Sequence, residues 1–377
     1  MKILVEHTFH NPYNPEKVTG GVERYCHQLW QLLREAGHKA VLAVPADTDS
    51  RFLRKNEVVP VNRLSKQGAK EIGKVASHRV WWNEIEKLSE EFDVVVTNSE
   101  LSSLSILDCE KLLPKILHVN HFPFLATGCQ MAFRYMLCCQ GIRMNGGKVV
   151  SSGAQTRVKA QQTWEDKKNV IAEHYPDAFS RFQFDGPLHD GDIDVNILPD
   201  DLASLKNSNG KKILAVGRPE SGKKLVLAAK TLVTLGDLGY DCDMYITPYG
   251  KDYQKITEIT EGTSVKVHVK VPHQEIMEAY ASSDYLLFPS MDETNGMTAF
   301  EAASSGCTVF YQTPEPSHFL EPSGAGIHFS SNSPKVVAEI VQQTKPRVSR
   351  QELRTFFGVN YTNEKVVSRI LGWLCDS

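Results

Sequence analysis

Hydrophobic and polar positions alternate in two different ways along the first half of the chain. Short apolar segments, as expected of buried strands, occupy 2–6, 40–44, 58–61, 93–97, 116–119 and 148–151. Between the first two, residues 22–36 place apolar side chains at spacings of three and four, which predicts an amphipathic helix that ends at Gly37. Strands that alternate with helices predict a parallel sheet covered by helices on both faces.

The same alternation begins again after a polar stretch at 187–209, which is rich in Asp, Pro, Gly and Asn and therefore typical of a linker. Predicted strands follow at 212–216, 243–246, 265–269, 285–288 and 308–311, and predicted helices at 224–235, 253–258, 274–281, 296–304 and 334–343. The pattern predicts an N-terminal Rossmann-like domain over 1–190, a linker over 191–209 and a C-terminal Rossmann-like domain over 210–349, with a last helix at about 350–377 that crosses back onto the first domain. Because ligands of such sheets bind at the carboxyl ends of the strands, we expect the two domains to face a central cleft.

Composition limits the classes of protein to consider. A chain of 377 residues with 41% hydrophobic and 23% charged residues is long enough for two α/β cores and ordinary for a globular protein. No apolar stretch reaches the length of a membrane span, and the first one is too short for a signal peptide, so we expect a cytoplasmic protein. The eight cysteines form no C-x-x-C pair, which favours reduced and mostly buried thiols over disulfides or a zinc site.

The strongest chemical signal is a pair of carboxylates, Glu293 and Glu301, with seven residues between them. They follow an apolar segment that predicts a strand, and a helix is predicted to begin beside Gly296. This glycine permits close approach of a ligand, and the N–H groups of Gly296, Met297 and Thr298 would point at a phosphate. Glu293 would then accept hydrogen bonds from sugar hydroxyls and Glu301 from a ribose diol. The alternative is a pair of surface glutamates flanking a helix.

Two further loops suit a phosphate group. Arg218 and Lys223 follow the predicted strand at 212–216, where two cations would neutralise the charge on a departing diphosphate. Solvated basic residues in a turn are the alternative, and Lys224 excludes a P-loop, which requires Ser or Thr there. Gly20 and Gly21 stand where the first long helix begins, and paired glycines there permit close phosphate approach.

Together these motifs resemble family 4 glycosyltransferases of the GT-B fold over nearly the whole chain. The motifs that carry the resemblance are Gly20-Gly21-x-Glu23 with Gly37-His38, Gly217-Arg218 with Lys223, and Glu293-x7-Glu301. The resemblance implies a retaining transfer from a nucleotide-sugar, with a UDP-sugar as the expected donor and no required metal or cofactor. Lys224 departs from the family, which usually has Gly there, and the common NGVD linker is absent.

The resemblance also implies residue roles. Arg218 and Lys223 would bind the diphosphate, Glu301 the ribose and Glu293 the transferred sugar, while the segment 270–273 would line the base. The expected donor-binding residues are Gly20, Gly21, Arg218, Lys223, Lys270, Val271, Glu293, Asn295, Gly296, Met297, Thr298 and Glu301.

A histidine near the reactive carbon of the sugar is a further family feature. His121 follows the predicted strand at 116–119 and is the residue expected in this role, whereas His118 is expected to point into the sheet or helix layer. His121, Glu293, Arg218 and Lys223 are therefore the expected catalytic residues.

The acceptor is less constrained. Between Arg51 and Arg79 there are eight lysines and arginines and two glutamates. On a helix, Lys66, Lys70, Lys74 and His78 would form one cationic stripe. This stripe is either a solvated face or an acceptor site for a polyanion, namely DNA or, less well supported because apolar partners are few, an anionic membrane surface.

Resemblance again supplies a candidate for the acceptor. Phage enzymes that glucosylate hydroxymethylated DNA bases share this fold and a similar length, which would place the enzyme in the host cytoplasm. Polysaccharide and glycolipid acceptors are equally expected.

Other classes of function stay open on sequence grounds. Asp190, Asp192 and Asp194 imitate a D-x-D metal site, but they fall in the predicted linker, so no metal site is expected. An epimerase or hydrolase of the same fold would turn over the donor without an acceptor, and a catalytically silent chain would serve only as a binding partner. No protein partner can be inferred.

Overall fold

The chain divides into two units, residues 1–197 with 363–377 and residues 198–362. The computed structural model describes residues 1–7, 12–15, 21–54, 57–63, 74–98, 101, 104–121, 129–153, 157–158, 160–165, 169, 173, 187–194, 196–199, 202–291, 293 and 295–375. Its strands are β1 Lys2–Glu6, β2 Lys39–Pro45, β3 Val58–Val61, β4 Val94–Thr97, β5 Ile116–Asn120, β6 Lys148–Ser151, β7 Gly191–Asp192, β8 Lys212–Gly217, β9 Asp241–Ile246, β10 Lys266–Val269, β11 Tyr285–Phe288, β12 Thr308–Tyr311 and β13 Gly326–His328. Its helices are α1 Gly21–Glu35, α2 Lys74–Ser89, α3 Cys129–Met144, α4 Leu225–Asp237, α5 Tyr253–Thr260, α6 His273–Ala281, α7 Met297–Ser304, α8 Ser317–Ser323, α9 Pro334–Gln343, α10 Arg350–Asn360 and α11 Asn363–Cys375.

The first unit contains a parallel sheet in the order β3-β2-β1-β4-β5-β6-β7. Along β1, Ile3 and Val5 face one side of the sheet, where α1 and α11 pack, and Leu4 faces the other, where α2 and α3 pack. Both faces of the central strands are therefore buried, which explains why their sequences are mainly apolar.

The second unit contains a parallel sheet in the order β10-β9-β8-β11-β12-β13. Ile213 and Ala215 of β8 pack under α4 and α9, whereas Leu214 packs with α6, α7, α8 and α10 on the other face. The prediction of two Rossmann-like α/β domains is therefore confirmed. Every strand predicted from the apolar segments is present to within two residues, and β7 and β13, which were not predicted, are the shortest.

Residues 191–197 belong to the first unit, although the sequence predicts a linker from residue 191 onward. The reason is β7, which pairs with β6 through Gly191 and Asp192. Each aspartate of the apparent metal motif contacts an arginine: Asp190 with Arg143 at 2.6 Å, Asp192 with Arg157 at 3.8 Å and Asp194 with Arg369 at 3.2 Å. These carboxylates hold the edge of the sheet.

The C-terminal segment is shared between the units. Helix α10 stays in the second unit, where Leu353 and Phe357 are buried in the core, and Phe357 meets Phe300 edge-on at 5.2 Å. Of the two helices in this segment, α11 belongs to the first unit, where Val366 and Ile370 pack in the core beside α1. The predicted single helical segment is therefore two helices with different partners.

Two further expectations concern the cysteines and the membrane. The described free thiols, Cys26, Cys109, Cys138, Cys139, Cys242 and Cys307, are buried, which confirms the prediction for these six. Among the described residues, no helix combines the length and the apolar character needed to cross a bilayer.

Candidate functional site

The second unit brings two predicted motifs together where its strand order reverses. Strand β8 lies between β9 and β11, so the loops after β8 and β11 leave the sheet side by side at its carboxyl edge. The backbone N–H of Met291 donates to the carbonyl oxygen of Gly222 at 2.8 Å, which joins the two loops directly. Crevices of this kind are where open α/β sheets bind their ligands.

Lys223 and Glu293 form an ion pair at this junction, although they lie 70 residues apart in the sequence. The Nζ atom of Lys223 donates to Oε1 of Glu293 at 2.5 Å, and the two side chains are 25% and 13% exposed. Lys223 ends a short 3-10 turn, Ser221–Lys223, and Glu293 lies in the loop that Met291 anchors. The site therefore offers an ammonium group for an anion beside a carboxylate for hydroxyl groups. Arg218 begins the same loop directly after β8 and is exposed.

Lys224 adopts a left-handed conformation between the 3-10 turn and α4, with φ 48° and ψ 33°. This conformation favours glycine, which explains physically why the resembling family usually has Gly here. The Lys224 ammonium donates to Asn332 Oδ1 at 2.9 Å and to Gln312 Oε1 at 3.3 Å. Lys224 thus ties the loop after β8 to the loops after β12 and β13.

Gly296 begins the helix that carries the second glutamate. Its φ of 67° is left-handed, and a Cβ atom added there would lie 3.1 Å from Cβ of Pro316, so a side chain fits poorly. Helix α7 starts at the next residue, Met297, and its N-cap Gly296 has no side chain to accept from the N–H groups of the first turn, which include those of Met297 and Thr298. Asn295 is buried beside this turn.

Glu301 lies in the second turn of α7 and is 6% exposed. Its Oε1 is 3.4 Å from Nε2 of His273, the first residue of α6. His273 ends the segment 270–273 that was expected to line a base, and Lys270 begins that segment with a left-handed φ of 56°. The structure thus places this segment beside Glu301. His273 lies within the segment expected to line the base, but its contact with Glu301 was not predicted, although its place after a strand and at a helix start is the relevant signal.

The first unit has its own polar cluster where its strand order reverses, between β1 and β4. Glu6 ends β1, Asn98 follows β4 and His121 follows β5. Asn98 contacts both of the others through hydrogen bonds, of which that between its Oδ1 and His121 Nε2 spans 3.1 Å. Burial lowers the pKa of His121 to about 3, so its ring is neutral at physiological pH. Sequence reasoning missed Glu6 and Asn98.

His118 is buried, as predicted, and its Nδ1 is 3.0 Å from the Thr97 hydroxyl. Of the paired glycines, Gly21 is the first residue of α1, and Gly20 lies outside the described residues. No group of three His, Cys, Asp or Glu side chains within the described ranges could hold a metal ion.

The basic segment is only partly described. Lys66 and Lys70 lie outside the described residues, and Lys74 is the first residue of α2. His78 is 8% exposed, so it does not belong to a solvent-facing stripe, and this corrects its prediction. The described arginines each contact a carboxylate: Arg51 with Asp49 at 2.8 Å, Arg54 with Glu57 at 3.9 Å, Arg63 with Asp47 at 2.7 Å and Arg79 with Asp108 at 2.7 Å.

Comparison with protein families gives one match in each unit. Residues 19–139 match the model described as Glycosyltransferase Family 4, and residues 200–346 match the model described as Glycosyl transferases group 1. No curated protein matches the chain in sequence.

Solved structures share the fold along the whole chain. A glycosyltransferase from Rickettsia africae ESF-5 is 17% identical with a TM-score of 0.67, and the match covers 100% of this chain and 98% of that one. The catalytic domain of Starch Synthase IV from Arabidopsis thaliana, bound to ADP and acarbose, is 11% identical with a TM-score of 0.65, over 100% and 99%. The pneumococcal O-GlcNAc transferase GtfA, in complex with UDP and GlcNAc, is 10% identical with a TM-score of 0.66, over 100% and 99%. At these identities the likeness establishes the fold.

Proposed function

We propose that this chain, which belongs to the GT4-type glycosyltransferases of the GT-B fold, is a retaining enzyme that moves a sugar from a nucleotide-sugar to a hydroxyl acceptor. Its place in that family follows from the matches of its two units to Glycosyltransferase Family 4 and to the glycosyl transferases of group 1. Group 1 enzymes use nucleotide-sugar donors. A UDP-sugar is the donor we propose, and the UDP in the structure of the pneumococcal enzyme supports that choice.

The observation that carries the proposal is the Lys223–Glu293 pair at the carboxyl edge of the second sheet. A diphosphate requires cations, and a sugar ring requires a hydrogen-bond acceptor for its hydroxyls. The pair supplies both groups within one hydrogen bond's length. Arg218 starts the same loop, and the first turn of α7 adds backbone N–H groups that its glycine N-cap has no side chain to bind.

In the proposed reaction the bond between the sugar C1 and the diphosphate oxygen breaks, and a bond forms between C1 and the acceptor oxygen. The proton of the acceptor hydroxyl passes to the departing diphosphate. Lys223 and Arg218 stabilise the negative charge that develops on this leaving group, which is the largest single contribution in many enzymes. Glu293 holds the sugar hydroxyls so that C1 faces the acceptor, and C1 keeps its configuration.

Donor binding in this proposal depends on Glu301 and the segment 270–273. The buried carboxylate of Glu301 accepts hydrogen bonds from the ribose diol, and His273 beside it keeps that carboxylate in place. The base lies along Lys270 and Val271. Contacts of Gly21 and His121 with the donor stay predictions.

For the acceptor we propose a saccharide or glycolipid hydroxyl in preference to a hydroxymethylated DNA base. The described arginines of the basic segment contact carboxylates, and His78 is buried. Paired charges at an exposed surface attract a polyanion weakly, because the field of each cation is offset by its partner.

The test is a transfer assay with UDP-, GDP- and ADP-sugars against saccharide, glycolipid and hydroxymethylated duplex DNA acceptors. A nucleotide at 100 times its dissociation constant stabilises the protein by about 2.7 kcal/mol, so thermal shift first selects the donor. Proton NMR of the product then gives the configuration at C1. A product inverted relative to the donor would contradict the retaining assignment. Donor turnover that is equally fast without acceptor would instead indicate a hydrolase or epimerase, and Lys223→Ala serves as the inactive control.

A further inference from the structure

Glu6 is a fully buried carboxylate at the end of β1, directly after the buried apolar residues 3–5. Its Oε1 accepts from the indole N–H of Trp81 at 2.8 Å, and its Oε2 accepts from the backbone N–H of Asn98 at 2.8 Å. A buried carboxylate is costly even when it is hydrogen-bonded, and an apolar residue would continue the strand more cheaply. The placement of Glu6 therefore calls for a reason beyond packing.

The Asn98 side chain can adopt only one orientation between its two neighbours. Its Nδ2 donates to the carbonyl oxygen of Glu6 at 3.0 Å, which directs its Oδ1 toward Nε2 of His121 at 3.1 Å. An amide oxygen only accepts hydrogen bonds, so Nε2 of His121 must be the nitrogen that carries the proton. In the neutral ring, Nδ1 is then left with a lone pair.

The ring of His121 is also fixed from a second side. Tyr25 of α1 packs against it with ring centroids 4.8 Å apart and the ring planes inclined at 57°. The residue is 9% exposed, and burial keeps the ring neutral because it lowers the pKa to about 3. A ring that stays neutral and keeps one tautomer is suited to accept a hydrogen bond at Nδ1, and it is unsuited to act as an acid.

We propose that Glu6 and Asn98 are positioning residues that hold His121 in its Nε2–H tautomer, so that Nδ1 is its acceptor atom. Glu6 fixes the backbone and the side chain of Asn98, and Asn98 fixes the proton of the histidine. The tautomer follows from these contacts alone, whereas its effect on turnover rests on the proposed glycosyl transfer.

The test uses the full chain labelled with ¹⁵N-histidine, in which the nitrogen shifts of each ring distinguish protonated from unprotonated nitrogens. His121→Gln assigns the signals. The native ring should show a protonated Nε2 and an unprotonated Nδ1, and Asn98→Ala should shift the ring toward a mixture of both tautomers. Thr97→Val is the matched control. Thr97 is the residue before Asn98, and its loss removes the hydrogen-bond partner of His118, so the His121 signals should stay unchanged.

Turnover is measured on the same variants. Asn98→Ala should lower kcat by about 10- to 100-fold, by analogy with residues that orient a metal-ligating histidine, while the donor Kd changes less than about twofold. Glu6→Gln, which keeps the shape, should reduce kcat in the same direction with a smaller change. Thr97→Val should retain native kcat.

Two results would overturn the assignment: a native His121 with the proton on Nδ1, or an Asn98→Ala variant with native tautomer and native kcat. The native spectrum decides the tautomer even where a variant fails to fold. Absence of transfer activity in the native chain, with the expected tautomer, would count against the proposed function and leave the positioning of His121 standing.

Discussion

The contact between Lys223 and Glu293 gives the sharpest prediction, because each role assigned to one residue depends on the other. The perturbations are Lys223→Met, which keeps most of the apolar stem, Glu293→Gln, which keeps the shape, and the double variant. At 2.5 Å and an effective dielectric constant of about 20, Coulomb's law gives an attraction of roughly 6–7 kcal/mol. Both side chains lose hydration, and Lys223 keeps a quarter of its surface in water, so the net coupling should be about 1–3 kcal/mol.

Loss of the carboxylate should affect binding and catalysis in opposite directions. Glu293→Gln removes a negative charge beside the ammonium group, so free UDP should bind about three to ten times more tightly, from roughly 1 kcal/mol of relieved competition. The same variant should lose turnover because the sugar hydroxyls lose their acceptor. Lys223→Met should weaken UDP binding and lower kcat by about 100- to 1,000-fold, as expected when a group that stabilises developing charge is removed.

Calorimetry with UDP, initial rates, and urea unfolding of the four proteins measure these terms. A coupling energy in unfolding below about 0.5 kcal/mol would show that the ion pair does not form in solution. If Glu293→Gln weakened UDP binding as much as Glu301→Ala does, Glu293 would contact the nucleotide, and the roles of the two glutamates would be misassigned.

Three further predictions concern neighbouring features. Glu301→Ala should weaken UDP binding about tenfold with little change in kcat, since a ribose contact exists in ground and transition states alike. His273→Ala should weaken UDP binding by a smaller factor. Calorimetry that finds native UDP affinity in both variants would refute the ribose assignment. The unfolding free energy of Lys224→Gly should exceed that of Lys224→Ala by about 1 kcal/mol in urea titration. Both variants lack the ammonium group, but only glycine suits a φ of 48°. Equal unfolding free energies would contradict the left-handed conformation. Burial lowers the pKa of His121 and of His189 to about 3, so below about pH 6.5 the unfolded chain takes up protons that the folded chain does not bind. Between pH 7 and pH 5.5 the unfolding free energy should therefore fall by about 1.3 kcal/mol for each histidine. Urea titration at the two pH values measures this loss, which should be smaller in His189→Gln.

Most strands were predictable because each contains a short, mainly apolar segment, but their order in the sheet was not. Lys223 and Glu293 could each be assigned to the carboxyl end of a strand from sequence alone. Their contact depends on β11 lying next to β8, a long-range arrangement that no local pattern encodes. The role of Lys224 was hidden for a similar reason, since a lysine in the sequence does not reveal a positive φ.

The sequence contained unused signals for two residues, His78, whose exposure was wrongly predicted, and Glu6, which was overlooked. His78 stands three, four and seven residues before Trp81, Trp82 and Ile85, and all four are buried on α2. That apolar spacing outweighs the four-residue spacing of the lysines, because burial of large side chains stabilises a helix far more than a stripe of charges. Glu6 similarly follows three apolar residues at the very position where the chain leaves the sheet, and a carboxylate there is a candidate for a site residue.

The charges of the two units lead to different conclusions about their ligands. In the second unit, the Lys223 ammonium donates to a carboxylate that also has a proposed substrate role, and the Lys224 ammonium donates to two neutral amide oxygens, so both ammonium groups are held at the carboxyl edge of the sheet. In the first unit, the described arginines of the basic segment contact aspartates and glutamates at an exposed surface. A polyanionic acceptor would therefore depend on the lysines of that segment, whereas the diphosphate of the proposed donor would meet Lys223 at the second sheet. In the proposed function the donor thus meets partly buried charges that the fold holds in place, whereas the described charges of 51–79 specify no acceptor.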